Sequence, residues 1–235
     1  MVSIVRRIGR RVRRAIGVDL APGAAEWRMQ AALQRAASSH DIRGIVDVGA
    51  SDGSWSIMAR RYWPNATFLL IEAQAAHEDG LRASGMEYVL AAAGDKPGEI
   101  HFNAADLFGG VASYEATGAA DITVPMTTVD IEVRRTGLPG PYLVKLDTHG
   151  FEREILLGAA ETLRDSSLLF IESYNFELMA GALRFHELCG FLEERGFRCL
   201  DLADPMHRPK DGIFWQVDLI FARSDEPEYS DNAYG

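Results

Sequence analysis

The chain has 235 residues, 47% of them hydrophobic, with a formal net charge of -10. That size and apolar content suit one α/β domain around a good core, while the charge excludes a general nucleic-acid surface, which needs the opposite sign. Two cysteines, Cys189 and Cys199, are too few and too close for a disulfide framework and read as reduced core residues of a cytosolic protein.

The charge is uneven along the chain. Arg6, Arg7, Arg10, Arg11, Arg13 and Arg14 all precede the first acid, Asp19. On a helical wheel Ile4, Val5, Ile8, Val12, Ala15 and Ile16 fall within about 120°, with every one of these arginines on the other side. A basic amphipathic helix of this kind suits the headgroup layer of an anionic membrane. It suits equally well a face packed on the domain or on a second copy in a homodimer. No apolar run is long enough to cross a bilayer, and no signal peptide is evident. The expectation is a cytoplasmic protein with peripheral contact at the inner membrane face. A turn at Ala21-Pro-Gly and a second helix, about Ala25 to Ala37, complete an N-terminal segment over 1–38. The main domain is expected over 39–223 and a disordered acidic tail over 224–235.

From residue 45 the pattern alternates as a doubly wound fold does. The expected strands and helices are a strand at Ile45–Val48, a helix at 55–62, a strand at 67–73, a helix at 75–83 and a strand at 87–92. The alternation then breaks. Short strands are expected at 99–103 and 122–126, separated by a glycine- and alanine-rich stretch, Ala104 to Ala120, that reads as a mobile lid over the substrate. A helix to Arg135, a strand at 142–149, a helix at 151–163, a strand at 168–174 and a helix closed by Gly196 follow. The last two strands, 198–202 and 214–222, leave no room for a helix between them, so they form an antiparallel pair. The predicted fold class is α/β, a doubly wound, mostly parallel seven-stranded sheet with an antiparallel last strand.

Within IVDVGASDGSWS, residues 45–56, a buried strand gives way to a glycine turn and a helix start. Gly49 and Gly53 bracket Ala50, Ser51 and Asp52, which brings backbone close to a ligand, and Ser54 is placed to cap the helix. Asp47 is the one polar residue of the strand. Glu72 ends the next apolar run, where an acid accepts two hydrogen bonds from ribose hydroxyls. The ligand is therefore a nucleoside, but G-x-x-x-G replaces the G-x-G-x-x-G of a pyrophosphate turn, and no P-loop occurs. This spacing favours S-adenosylmethionine over NAD or ATP.

In such sheets the ligand lies beyond the carboxyl ends of the strands. Those ends carry Asp47, Glu72, Asp147, His149, Glu172 and Tyr174. Lys145 and Asp147 share a face and are costly to bury unless paired. The bland reading of that pair is a mutual salt bridge; the functional one sets Asp147 and His149 beside the methyl acceptor. His149 is the best general base for a hydroxyl proton. Asp147, His149 and Glu172 form a possible divalent-metal set, which their spacing alone does not favour.

VDVGASDGSWS, IEA, AAAGDKPG, KLDTHGFEREILLGA, IES and WQVDLIF, in that order over residues 45–223, resemble FkbM-type methyltransferases. The resemblance implies a class I, Rossmann-like methyltransferase using S-adenosylmethionine on a hydroxyl of a sugar, glycolipid or natural product. It implies that Asp47, Gly49, Ala50, Ser51, Asp52, Gly53, Ser54, Glu72 and Ala73 line the cofactor site, with Ala92 and Asp95 near the adenine. Asp147, Gly150 and Glu152 match the family's strand-four motif. His149 departs from it, since the family usually has Glu or Gln there, so its role as base rests on chemistry alone. An NAD-dependent oxidoreductase and a non-catalytic, membrane-associated cofactor-binding protein are the competing classes.

Overall fold

The computed structural model describes residues 25–103, 110–116 and 121–234. The basic segment over 4–16 lies outside these residues, as do parts of the expected lid.

The element order is α1 (Met29–Ser39), β1 (Gly44–Val48), α2 (Ser54–Ala59), β2 (Thr67–Glu72), α3 (Glu78–Ser84), β3 (Glu87–Leu90), β4 (Ala92–Ala93), β5 (Gly98–Asn103), β6 (Val111–Ser113), β7 (Asp121–Thr127), α4 (Val129–Thr136), β8 (Tyr142–Leu146), α5 (Glu152–Leu157), α6 (Ala160–Arg164), β9 (Ser166–Tyr174), α7 (Phe185–Glu193), β10 (Phe197–His207) and β11 (Phe214–Arg223). The main sheet has seven strands in the order β10-β11-β9-β8-β1-β2-β3. β11 runs antiparallel to both β9 and β10, and the pairings among β9, β8, β1, β2 and β3 are parallel.

Alternation along the strands sorts the core into two layers. Val46 and Val48 pack with Leu146, Ile155 and Ile171 on one face. Ile45 packs with Leu33, Leu70, Leu143 and Phe170 on the other. Each such large side chain, once buried, contributes about 1.5–3 kcal/mol to folding. Register does the rest. Leu70, Asp47, Lys145 and Phe170 are successive partners across β2, β1, β8 and β9, so they stand side by side on one face. That row brings the Lys145 ammonium 2.9 Å from Asp47, and Asp47 is fully buried.

Several expected boundaries move. Met29, Ala32, Leu33 and Ala36 of α1 are buried in the second layer, so this helix belongs to the domain core and not to a separate N-terminal segment. The strand expected to reach His149 stops at Leu146, and the helix expected over 151–163 breaks at Gly158 and Ala159. Gly158 has to be small there, because a Cβ would lie 1.9 Å from the Gly94 carbonyl oxygen. In the expected lid, Val111–Ser113 is a strand paired to β5, within a second, four-stranded sheet of order β4-β7-β5-β6. β10 runs on through Asp204 and Pro205 with bulges, past the strand end expected at residue 202. Cys199 is exposed and is not a core residue.

Residues 224–234, expected as a disordered tail, close back on the domain. Pro227–Ser230 forms a 3-10 turn that sets the Tyr229 ring 4.5 Å below the Arg198 guanidinium. The Tyr229 hydroxyl donates to the Arg198 carbonyl at 3.3 Å. Among the described residues no helix is long and apolar enough to cross a membrane.

Candidate active site

The turn after β1 is built for close approach. Gly49 has φ +72°, and a Cβ there would stand 2.3 Å from the Asp147 carbonyl oxygen, so only glycine lets the loop after β8 close against it. Ser51, at φ +51°, is a non-glycine residue in the left-handed region, a local cost that persists only where its surroundings hold it. Glu72 does so, taking the Ser51 N–H on Oε2 at 2.7 Å and the Gln74 N–H on Oε1 at 2.8 Å. Each of its oxygens keeps a lone pair for one more donor, as a ribose diol requires.

These residues open onto a solvent-connected cleft. Gly49, Ser51, Glu72, Ala73 and Ala92 line it on the cofactor side, and Asp147 and His149 on the other. The Ser51 Oγ is buried with no partner, a polar atom that a bound nucleoside would satisfy. The donor set and the orphaned hydroxyl fit S-adenosylmethionine.

Other expected cofactor residues are displaced from the cleft wall. Asp47 points into the opposite core layer toward Lys145 and Ser56, whose hydroxyl donates to it at 2.7 Å. Ala50 is buried, and Gly53 packs against Leu70 and Ser84. Ser54 does not cap α2. Gly53 holds the cap position with φ +79°, and the exposed Asp52 accepts the Ser54 N–H at 3.0 Å instead. Asp95 is exposed and accepts the Tyr114 hydroxyl, and the Tyr114 ring packs on Phe151. Sequence reasoning missed Gln74, His77, Phe102, Thr148 and Phe151, which also line the cleft. Phe102 was legible only as an alternating apolar position, and the second sheet that turns it inward had no motif of its own.

On the acceptor side, Asp147 and His149 sit in the loop just beyond β8, and Glu172 near the end of β9. The His149 Nε2 lies 3.7 Å from Glu172 Oε2, and its Nδ1 lies 3.1 Å from the Gly110 carbonyl oxygen. Glu172 is buried, accepts the Tyr174 hydroxyl at 2.9 Å and also takes the Gln216 amide. Burial, then the nearby Asp147 carboxylate, push the Glu172 pKa well up. Burial followed by Glu172 does the same to Tyr174. One ligand atom each from Asp147, His149 and Glu172 lie within 4.8 Å of one another, a mixed nitrogen and oxygen set that suits a divalent cation.

Lys145 lies beneath this group and does not line the cleft. Its ammonium reaches Asp47 at 2.9 Å, Asp147 at 3.3 Å and the Gly49 carbonyl at 3.4 Å, and sits 5.5 Å from the Trp55 ring centroid. Burial opposes its charge, but Asp147 and Asp47 outweigh that and hold its pKa above the ordinary value. Lys145 therefore anchors Asp147, and the salt bridge expected as the bland reading exists with Asp47 added to it. Glu152 sits at the start of α5, buried, and accepts the Thr148 hydroxyl at 3.0 Å and the Gly150 N–H at 2.9 Å. Burial pushes its pKa up to about 7 against the pull of those donors.

In chain order the main sheet reads 3-2-1-4-5-7-6, with the seventh strand antiparallel and a nucleoside cleft at the carboxyl ends of strands 1 and 2. That combination defines a class I, Rossmann-like methyltransferase. The methyltransferase FkbM domain model matches residues 47–199, well over half of the chain. The chain belongs to this family, and its cofactor is S-adenosylmethionine. Among solved structures, methyltransferase FkbM from Methylobacillus flagellatus KT is similar with a TM-score of 0.51 at 15% identity, covering 76% of this chain and 44% of that one. The chain thus spans less than half the length of that relative. A precorrin-6y C5,15-methyltransferase from Geobacter metallireducens aligns at 15% identity over 82% of this chain and 86% of its own, with a TM-score of 0.45. A search of curated proteins returned no match.

Proposed function

We propose that the protein is an S-adenosylmethionine-dependent O-methyltransferase acting on a hydroxyl of a sugar, glycolipid or natural-product acceptor. The observation that carries this reading is His149 on the cleft wall across from Glu72, backed by two carboxyl groups. When bound, S-adenosylmethionine supplies a methyl group on a positively charged sulfur, open to direct displacement. Glu72 and Ser51 hold the nucleoside end. His149 takes the hydroxyl proton as the oxygen attacks, and the nearby Asp147 carboxylate stabilises the imidazolium that results. Lys145 keeps Asp147 in place. The cleft aligns oxygen and methyl carbon, the larger share of the rate gain in a reaction of this type.

Calorimetric titration with S-adenosylhomocysteine tests the cofactor half. Binding at submillimolar concentration, lost in Glu72→Ala, supports the reading; no binding, or binding unaltered in that variant, ends it. Screening glycans and lipids of a deletion strain for a lost methyl group names the acceptor. With that acceptor, His149→Ala lowers turnover far more than cofactor affinity, and an unchanged rate assigns the base elsewhere. The compact Asp147, His149 and Glu172 set supports a second reading, in which the three bind one divalent cation that acidifies the hydroxyl and His149 serves as ligand. Turnover abolished by EDTA and restored by magnesium selects it over the first. The N-terminal basic segment supports peripheral attachment at the cytoplasmic membrane face. Deleting residues 1–18 then abolishes binding to anionic vesicles, and persistent binding dismisses the idea. Chain mass in solution distinguishes a homodimer.

A further inference from the structure

We infer that Gly110 is the positioning residue for His149: its carbonyl fixes the ring in the Nδ1–H tautomer and leaves Nε2 as the nitrogen that acts. A carbonyl oxygen has no proton to give, so across the 3.1 Å contact Nδ1 must be the donor. The neutral ring then presents the Nε2 lone pair toward Glu172 and Asp147, on the side where a proton, or a cation, is to be received. Without such an orienting acceptor a histidine favours the Nε2–H form in water, which is the wrong tautomer for a base at this place. The oxygen that fixes the tautomer comes from the residue just ahead of β6 in the second sheet, while the ring it orients comes from the loop after β8 of the first.

The identity of residue 110 follows from close approach. A Cβ there would lie 2.3 Å from Phe102 Cζ and 2.8 Å from Gln74 Nε2. Phe102 is buried in β5 and packed in the core, so its ring end has little room to give way, and the Gln74 amide closes the other side. A side chain at 110 is therefore expected to press its carbonyl off the ring. The break in strand and helix alternation after β3 supplies this group, because Gly110, just ahead of β6, lies against His149 in the loop after β8. The use of Nε2 as proton acceptor rests on the reaction proposed above; the tautomer itself does not.

Long-range proton–nitrogen correlation spectra of the full chain, labelled with nitrogen-15 histidine and recorded at the alkaline limit of ring titration, decide the matter. A difference spectrum against His149→Gln assigns the ring. Wild type is expected to show the Nδ1–H pattern, and Gly110→Ala to convert His149 to the Nε2–H pattern. Adding Phe102→Ala to Gly110→Ala makes room for the new methyl group and is expected to restore the Nδ1–H pattern, a rescue that general loosening would not produce. An Nε2–H pattern in wild type overturns the inference, as does a Gly110→Ala spectrum identical to wild type. Should Gly110→Ala fail to fold, the wild-type pattern and the double variant carry the test. An Nδ1–H ring in a protein inert toward every hydroxyl acceptor would sink the proposed reaction and leave the tautomer assignment standing.

Discussion

Glu152 offers a test that needs no acceptor. Its carboxyl is buried at the start of α5, and burial raises its pKa from 4.5 to about 7 despite the Thr148 hydroxyl and the Gly150 N–H. A carboxyl whose folded pKa is raised binds its proton more tightly when folded. Its contribution to stability is complete below the unfolded pKa and is lost as pH rises through the folded one. Taken over the whole shift, ionising this one group costs about 3 kcal/mol, of which about 2–3 kcal/mol falls between about pH 5 and pH 8. Glu152→Gln keeps a carbonyl acceptor for both donors and removes the ionisation. The variant should therefore gain on wild type by about 2–3 kcal/mol as pH rises across that range, read from urea unfolding at each pH with the slope held common. A difference between the two proteins that stays constant with pH refutes the reasoning.

The other predictions concern the cradle and its supports. Lys145→Ala leaves Asp47 buried with only the Ser56 hydroxyl, so unfolding free energy should fall by about 3–5 kcal/mol; a loss below about 1 kcal/mol would show that the pair matters little. Ser51→Ala removes a hydroxyl with no partner in the protein, so thermal stability should hold while S-adenosylhomocysteine affinity drops by roughly 2–10-fold in calorimetry. Equal affinity would mean that this oxygen meets no ligand. Asp95→Ala should leave the same affinity within about twofold, because the side chain turns out toward Tyr114. A tenfold loss would return Asp95 to the cofactor site.

The sheet was legible because each parallel strand is an apolar run closed by a polar end, and the last pair lacked room for a crossover. Glu72 was legible for the same reason: an acid terminating a buried run has few other uses. Asp47 and Asp52 were misplaced because sequence adjacency to a glycine turn does not say to which side of the sheet a residue points. Alternation sends Asp47 to the face opposite Val46 and Val48. Ser54 does not cap α2 because Gly53, in the left-handed region, takes the cap position and leaves Ser54 inside the helix, its N–H donated to Asp52. Gly110 was invisible, since a backbone carbonyl acts through its position, and that position comes from a short strand with no periodicity to announce it.

The row of Leu70, Asp47, Lys145 and Phe170 has a consequence for how the chain finds its fold. β1 and β8 are both apolar runs, far apart in sequence, and a slip between them would bury nearly the same hydrocarbon area. A slip of one residue turns Asp47 and Lys145 to opposite faces and strands two unpaired charges in the interior, at a cost of several kcal/mol. The pair therefore works as a registration mark in the middle of the sheet. The loops it aligns, after β1 and after β8, are the two that must meet across Gly49.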